Sequence, residues 1–179
     1  LTGDALANTL VGGSGSDDLF GGAGGDTLRG GGGSDRLWGE AGNDLLVGDS
    51  GNDELYGGPD NDRYQFEPGW GNDTLSDPSG SDDLMDFTSI TANLQVNVNG
   101  STVAVSDGSN GVTLTDNRVE HWQLGSGDDR VVFADGAKLA TGNGTLTGGL
   151  GRNSLDYADY TSAVVVDLSG SSVPGYGLA

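Results

Sequence analysis

The sequence predicts an all-β chain folded as a stack of short coils, and three observations carry that expectation. A nine-residue phrase recurs without a gap from Gly3 to Gln65. Glycine supplies 35 of 179 residues and hydrophobic residues only 34%, too little for a conventional packed core. Acidic residues outnumber basic ones 27 to 7, a formal charge of -20, and they fall in register instead of being scattered. That balance argues against nucleic acid or an anionic membrane as partner and for cations.

The seven phrases begin at Gly3, Gly12, Gly21, Gly30, Gly39, Gly48 and Gly57. Their sixth position reads Asn8, Asp17, Asp26, Asp35, Asp44, Asp53 and Asp62. Their eighth reads Leu10, Leu19, Leu28, Leu37, Leu46, Leu55 and Tyr64. The fourth is glycine from Gly15 to Gly51, with Leu6 and Asp60 at the two ends. Paired glycines permit backbone angles closed to other residues, so carbonyls can turn inward. The closing x-Leu-x is a minimal strand with one side chain inward and its neighbours outward. Each phrase is thus a six-residue turn and a short strand, and two phrases make one coil.

Stacked coils place residue i beside i+18, about 4.8 Å away. The aspartates then form two columns, Asp26–Asp44–Asp62 and Asp17–Asp35–Asp53. Bare carboxylates in such ladders repel one another, and a hard dication between successive turns removes the conflict. Oxygen-only ligands in a flexible cage favour Ca²⁺ over Mg²⁺ or Zn²⁺.

The phrases "GGSGSDDLF", "GGAGGDTLR", "GGGGSDRLW" and "GEAGNDLLV" resemble the GGxGxDxUx nonapeptides of RTX (repeats-in-toxin) proteins. The resemblance covers residues 3 to 65. It implies a right-handed parallel β-roll with Ca²⁺ in its turns, in a chain exported unfolded by type I secretion and folded by extracellular calcium. By position, the implied ligands are the side chains from Asp17 to Asp62, completed by main-chain carbonyls. Asn8 and Leu6 depart from the pattern and imply a weak first site or a cap. Asp60, at a glycine position, implies an added ligand or a distorted turn.

Beyond Gln65 the phrase continues raggedly. "PGWGNDTLS" and "DPSGSDDLM" keep Gly at four and Asp at six, which nominates Asp73 and Asp82 as further ligands. "LGSGDDRVV" nominates Asp129, whereas "LATGNGTLT" has Gly144 and "GGLGRNSLD" has Asn153, so those coils should be calcium-free or weak. Between them, "NLQVNVNGSTVAVSDGSNGVTLTD" alternates apolar and polar residues around Asn99-Gly100 and Asp107-Gly108, the pattern of antiparallel hairpins. The expected organisation is a calcium-binding roll over 1–85, a strand and hairpin insertion over 86–118, and degenerate coils over 119–179. The last span opens a further module, because residues 80–100 parallel 151–170 with one residue deleted. Such tandem modules resemble those of long bacterial RTX surface proteins and adhesins. The chain also reads as a piece of something longer.

Cysteine is absent, so disulfides and thiolate zinc sites are excluded. The single histidine, His121, stands in "VEHWQL" with no HExxH or GxSxG phrase nearby, and is read as structural, not catalytic. Phe20, Trp38 and Tyr56 are eighteen apart and should stack on one outer face. They are read as cross-strand packing in preference to a platform for carbohydrate or a cell-surface partner. The expected function is a non-enzymatic calcium-binding module of a secreted or surface protein, a stalk or adhesin segment. Its rival is the accessory or secretion module of an RTX protease, lipase or alginate epimerase.

Overall fold

The computed structural model describes residues 1–156 except 78, 81, 101, 117, 135, 136 and 138–144. The expectations for Gly144 and for most of the second long-period copy lie outside the described residues. Among the described residues all regular structure is strand, and no helix is long and apolar enough to cross a membrane.

The perfect repeat gives β1 (Thr9–Ser14), β2 (Asp18–Ala23), β3 (Thr27–Gly33), β4 (Arg36–Ala41), β5 (Leu45–Gly51), β6 (Glu54–Tyr56) and β7 (Arg63–Gln65). These alternate between two sheets. Pairing is parallel at a spacing of eighteen, with Leu10 beside Leu28, Leu28 beside Leu46 and Leu19 beside Leu37. The eighth-position residues point between the sheets, and Leu19, Leu28, Leu37, Leu46, Leu55 and Tyr64 are fully buried. One leucine per phrase is a narrow core, which is why the sequence is so poor in apolar residues. The architecture is a β-roll.

Two insertions then change the stack. Phe66-Glu67 lengthens the turn before β8 (Asn72–Ser76), so β6 pairs with it at a spacing of twenty. Phe66, Trp70 and Phe87 fill the widened interior, with the Phe66 and Phe87 rings stacked at 4.5 Å. After β9 (Leu84–Asp86), the chain runs through β10 (Gln95–Asn99), β11 (Thr102–Ser106) and β12 (Gly111–Leu114), which form the antiparallel meander expected from their alternation. Strand β12 lies parallel to β8, and β10 lies parallel to β14 (Arg130–Phe133). Three strands thus stand between β8 and β14 in this sheet. The other sheet passes directly from β9 to β13 (His121–Gln123) and β15 (Thr145–Thr147). The final orders are β1-β3-β5-β7-β9-β13-β15 and β16-β14-β10-β11-β12-β8-β6-β4-β2, where β16 is Ser154–Asp156.

The long period has a geometric consequence. Leu84 and Leu155, equivalent in that period, lie in β9 and β16, which belong to opposite sheets. One period therefore contains an odd number of half-coils.

Candidate metal centre

Each turn is shaped by backbone that only glycine adopts without strain. Positions two and four of the phrases have positive φ, from Gly13 and Gly15 to Gly58. Glu40, Asp49 and Asp60 are held there too, at φ of 73°, 67° and 79°, against the steric preference of side chains. Asp60 is exposed and keeps the glycine conformation, so the last turn is not distorted.

The turns bring the sixth-position residues into two ladders. Along one, the backbone N–H of Asn8 donates to Asp26 Oδ1, that of Asp26 to Asp44 Oδ1, and that of Asp44 to Asp62 Oδ1, at 2.7–2.8 Å. Along the other, Asp17 donates to Asp35, Asp35 to Asp53 and Asp53 to Asp73, at 2.8–3.0 Å. Asp129 carries the second ladder past the meander, accepting from Leu94 N–H and, through its own N–H, donating to Asn153 Oδ1. From Asp26 onward each ladder carboxylate accepts through one oxygen, Oδ1. The second, Oδ2, is buried without a partner in Asp17, Asp26, Asp35, Asp44, Asp53, Asp62, Asp73 and Asp129.

Position one of the phrase explains where those oxygens aim. A Cβ built on Gly30 would lie 2.5 Å from Asp35 Oδ2 and 2.7 Å from the carbonyl oxygen of Gly48. On Gly21 it would lie 2.6 Å from Asp26 Oδ2 and 2.5 Å from the Gly39 carbonyl. A carboxylate oxygen of one turn and a carbonyl oxygen of the next coil thus converge on a spot kept clear by the missing side chain. Burying anionic oxygens without a donor is costly, and the strain registers in their acidity. Burial pushes Asp44 and Asp53 up to about 6, Asp62 to about 7 and Asp73 to about 8, with neighbouring carboxylates adding to the rise. Asp35 and Asp129 move the same way for the same reason. A hard dication neutralises such a set and supplies the missing partner, so the donor chemistry fits Ca²⁺.

The RTX calcium-binding nonapeptide repeat, a four-copy family model, matches residues 2–37 and 29–64. This segment carries RTX repeats. No curated protein matches the chain.

Around the RTX segment the sequence reading needs one correction and two additions. Asp82 does not enter the ladder. Asp62 N–H donates to Asp83 Oδ1 at 2.8 Å, and Met85, not Leu84, points inward beside Tyr64. The turn after Gly80 is one residue longer than its predecessors, which shifts the register, and a slip of one exchanges the faces of every side chain. Asp82 instead stands outside, its Oδ1 2.6 Å from His121 Nε2. The first addition is Glu120, whose Oε2 accepts the N–H of Asp83. Its signal was legible: like every ladder residue, it directly precedes a strand triplet with one inward residue, here His121-Trp122-Gln123. The second is Asp77, fully buried at a first position that is glycine throughout the perfect run. Asn8 satisfies its own side chain with the N–H and carboxylate of Asp4 and leaves no free oxygen.

On the outer face Phe20 stacks on Trp38 at 4.5 Å and 2°, and Trp38 on Tyr56 at 5.5 Å and 7°. Arg36 sits 5.5 Å from the Trp38 ring centre and pairs with Asp18 through two hydrogen bonds. Both faces of Trp38 are occupied by neighbouring rings. A sugar ring therefore cannot stack on either face of Trp38.

Proposed function

We propose that the turns from Gly12 to Asp83, and the one that carries Asp129, bind Ca²⁺ through the ladder carboxylates and turn carbonyls, and that binding is what folds the chain. One observation carries this reading: eight ladder aspartates each leave one buried oxygen unpartnered. Asp17, Asp26, Asp35, Asp44, Asp53, Asp62, Asp73 and Asp129 are the proposed ligands, with Asp83 in the place given from sequence to Asp82. When bound, calcium supplies the positive charge that the protein lacks. The chain's own residues supply the rest: glycines hold the turns open, leucines fasten the coils, and backbone N–H groups aim the carboxylates. Twelve acidic residues face three basic ones between Gly3 and Gln65, so without metal, repulsion opposes the burial of seven small apolar anchors.

The setting we propose is extracellular, where calcium is abundant. The module serves there as a stiff spacer in a surface or adhesive protein. The long period that passes from β9 to β16 supports that reading over an accessory module of an enzyme. The Phe20–Trp38–Tyr56 stack braces one sheet in this account. The test is circular dichroism during a calcium titration from chelator. The proposal expects a cooperative gain of β-structure, and a spectrum indifferent to EDTA would refute it.

A further inference from the structure

Three departures from the repeat meet at one place in the stack. Tyr64 replaces the inward leucine of its phrase, Asp77 replaces the opening glycine of a later one, and an extra residue in the turn brings in Asp83. The Tyr64 hydroxyl donates to Asp77 Oδ2 at 2.7 Å and accepts the Gly57 N–H at 2.8 Å. Asp77 is thereby oriented with Oδ1 buried and unpartnered, as is Oδ2 of Asp62. One oxygen from each of Asp62, Asp77 and Asp83 lies within 4.8 Å of the others, and all three residues are buried. Their nearest basic neighbour in sequence, Arg63, is engaged with Asp86.

At the first-position glycines of the perfect run, an added side chain would collide with the convergent oxygens. At position 77 the side chain itself carries oxygens, so the space that glycine leaves empty is filled by a ligand. From this geometry we infer that Asp62, Asp77 and Asp83 form a separate, three-carboxylate calcium site, oriented by Tyr64, that fills before the single-aspartate turns. Ligand charge is the main determinant of affinity among oxygen cages for this ion. The site lies between the last regular coil and the meander, where early occupancy would join the two. The inference rests on the calcium reading above but adds Asp77 to two of its ligands and assigns a filling order.

Calcium titration of the whole chain against a competing chromophoric chelator, with the bound ions counted, tests it. The wild type should show one ion held at least about tenfold more tightly than the rest. Asp77→Asn should lose that ion class alone, while Asp35→Asn keeps it and loses affinity among the weaker ions. If Asp77→Asn does not fold in millimolar calcium, Tyr64→Phe decides. It keeps the ring and all three carboxylates but frees Asp77 from its donor, so the tight class must weaken. A tight class unchanged in these variants overturns the three-carboxylate site and leaves the turn sites standing. No calcium uptake by the wild type overturns both.

Discussion

In the phrase that runs from Gly30 to Asp35, a buried glycine opens the turn and one carboxylate looks across it to a carbonyl of the next coil. In the phrase opened by Asp77, the same position bears a carboxylate and the turn is a residue longer. The first arrangement can be repeated indefinitely, because each coil presents to the next the surface it received. The second interrupts that regularity: the ladder passes on through Asp83 to Glu120, but with a longer turn, and the opposite sheet changes to a meander beyond β8. Glycine at position one is therefore the mark of the regular run from Gly3 to Gly57, which lapses at Pro68 and Asp77.

The sharpest way to break the regular half is to close that space. Gly30→Ala places a methyl group where Asp35 Oδ2 and the Gly48 carbonyl converge. Overpacking of this kind costs about 1–3 kcal/mol, occasionally more, and the calcium pathway is blocked as well. Thermal unfolding in saturating calcium should show a large loss. Gly13→Ala meets no atom within 4 Å and should cost less, though its positive φ keeps that cost above zero. Equal losses would mean that the space at position one has no special role.

A milder break removes a ligand and leaves the backbone. Asp44 stands mid-ladder, accepting from Asp26 and donating to Asp62. Asp44→Ala should cost about 1–3 kcal/mol, the range for leaving polar partners unsatisfied, and lower calcium affinity roughly tenfold or more. Asn8→Ala should matter much less, since that side chain is occupied by Asp4. Calorimetric titration of both variants decides, and similar small losses would mean that the ladder is not where calcium binds.

How much of this was legible in the sequence differs between the two regions. Within the perfect repeat, strand spacing, inward leucines, paired ladders and the face of the aromatic stack all follow from period nine, because one residue type in one column has one structural reason. At the junction the reading failed where the letters are interchangeable. Asp82-Asp83 and Leu84-Met85 offer the same chemistry in either register, so nothing local revealed the longer turn. Asp77 was hidden because a column of glycines gives no hint of a ligand. Glu120 lacks the glycines of its turn, and only its place before an x-Trp-x triplet gives it away.

Proton binding offers a gentler probe of the same ladders. In the metal-free fold, burial raises Asp44 and Asp53 to about 6 and Asp73 to about 8, above the unfolded value of about 3.9. A raised carboxyl favours the folded state at low pH, and that contribution is lost as pH climbs through the folded values. In calcium-stripped buffer, β-structure should therefore increase between pH 8 and pH 5. In calcium the sign reverses, because protons compete for the same oxygens. Circular dichroism at the two pH values, with and without calcium, checks both signs.

The smallest effect expected belongs to Asp82, and it tests the register at the junction. Its side chain is 66% exposed and paired with His121, and such surface pairs contribute about 0–1 kcal/mol. Asp83 is buried, accepts the N–H of Asp62, and offers its own carbonyl to the N–H of His121. Asp82→Asn should leave the calcium titration unaltered and shift the melting temperature by no more than a few degrees. Asp83→Asn keeps an oxygen for the Asp62 hydrogen bond but removes a charge from the three-carboxylate cluster, so its whole effect should appear as weaker calcium binding. Neighbouring aspartates, one residue apart, thus separate the two registers. A chain that loses calcium affinity on Asp82→Asn and keeps it on Asp83→Asn would put Asp82 back in the ladder and Leu84 back in the core.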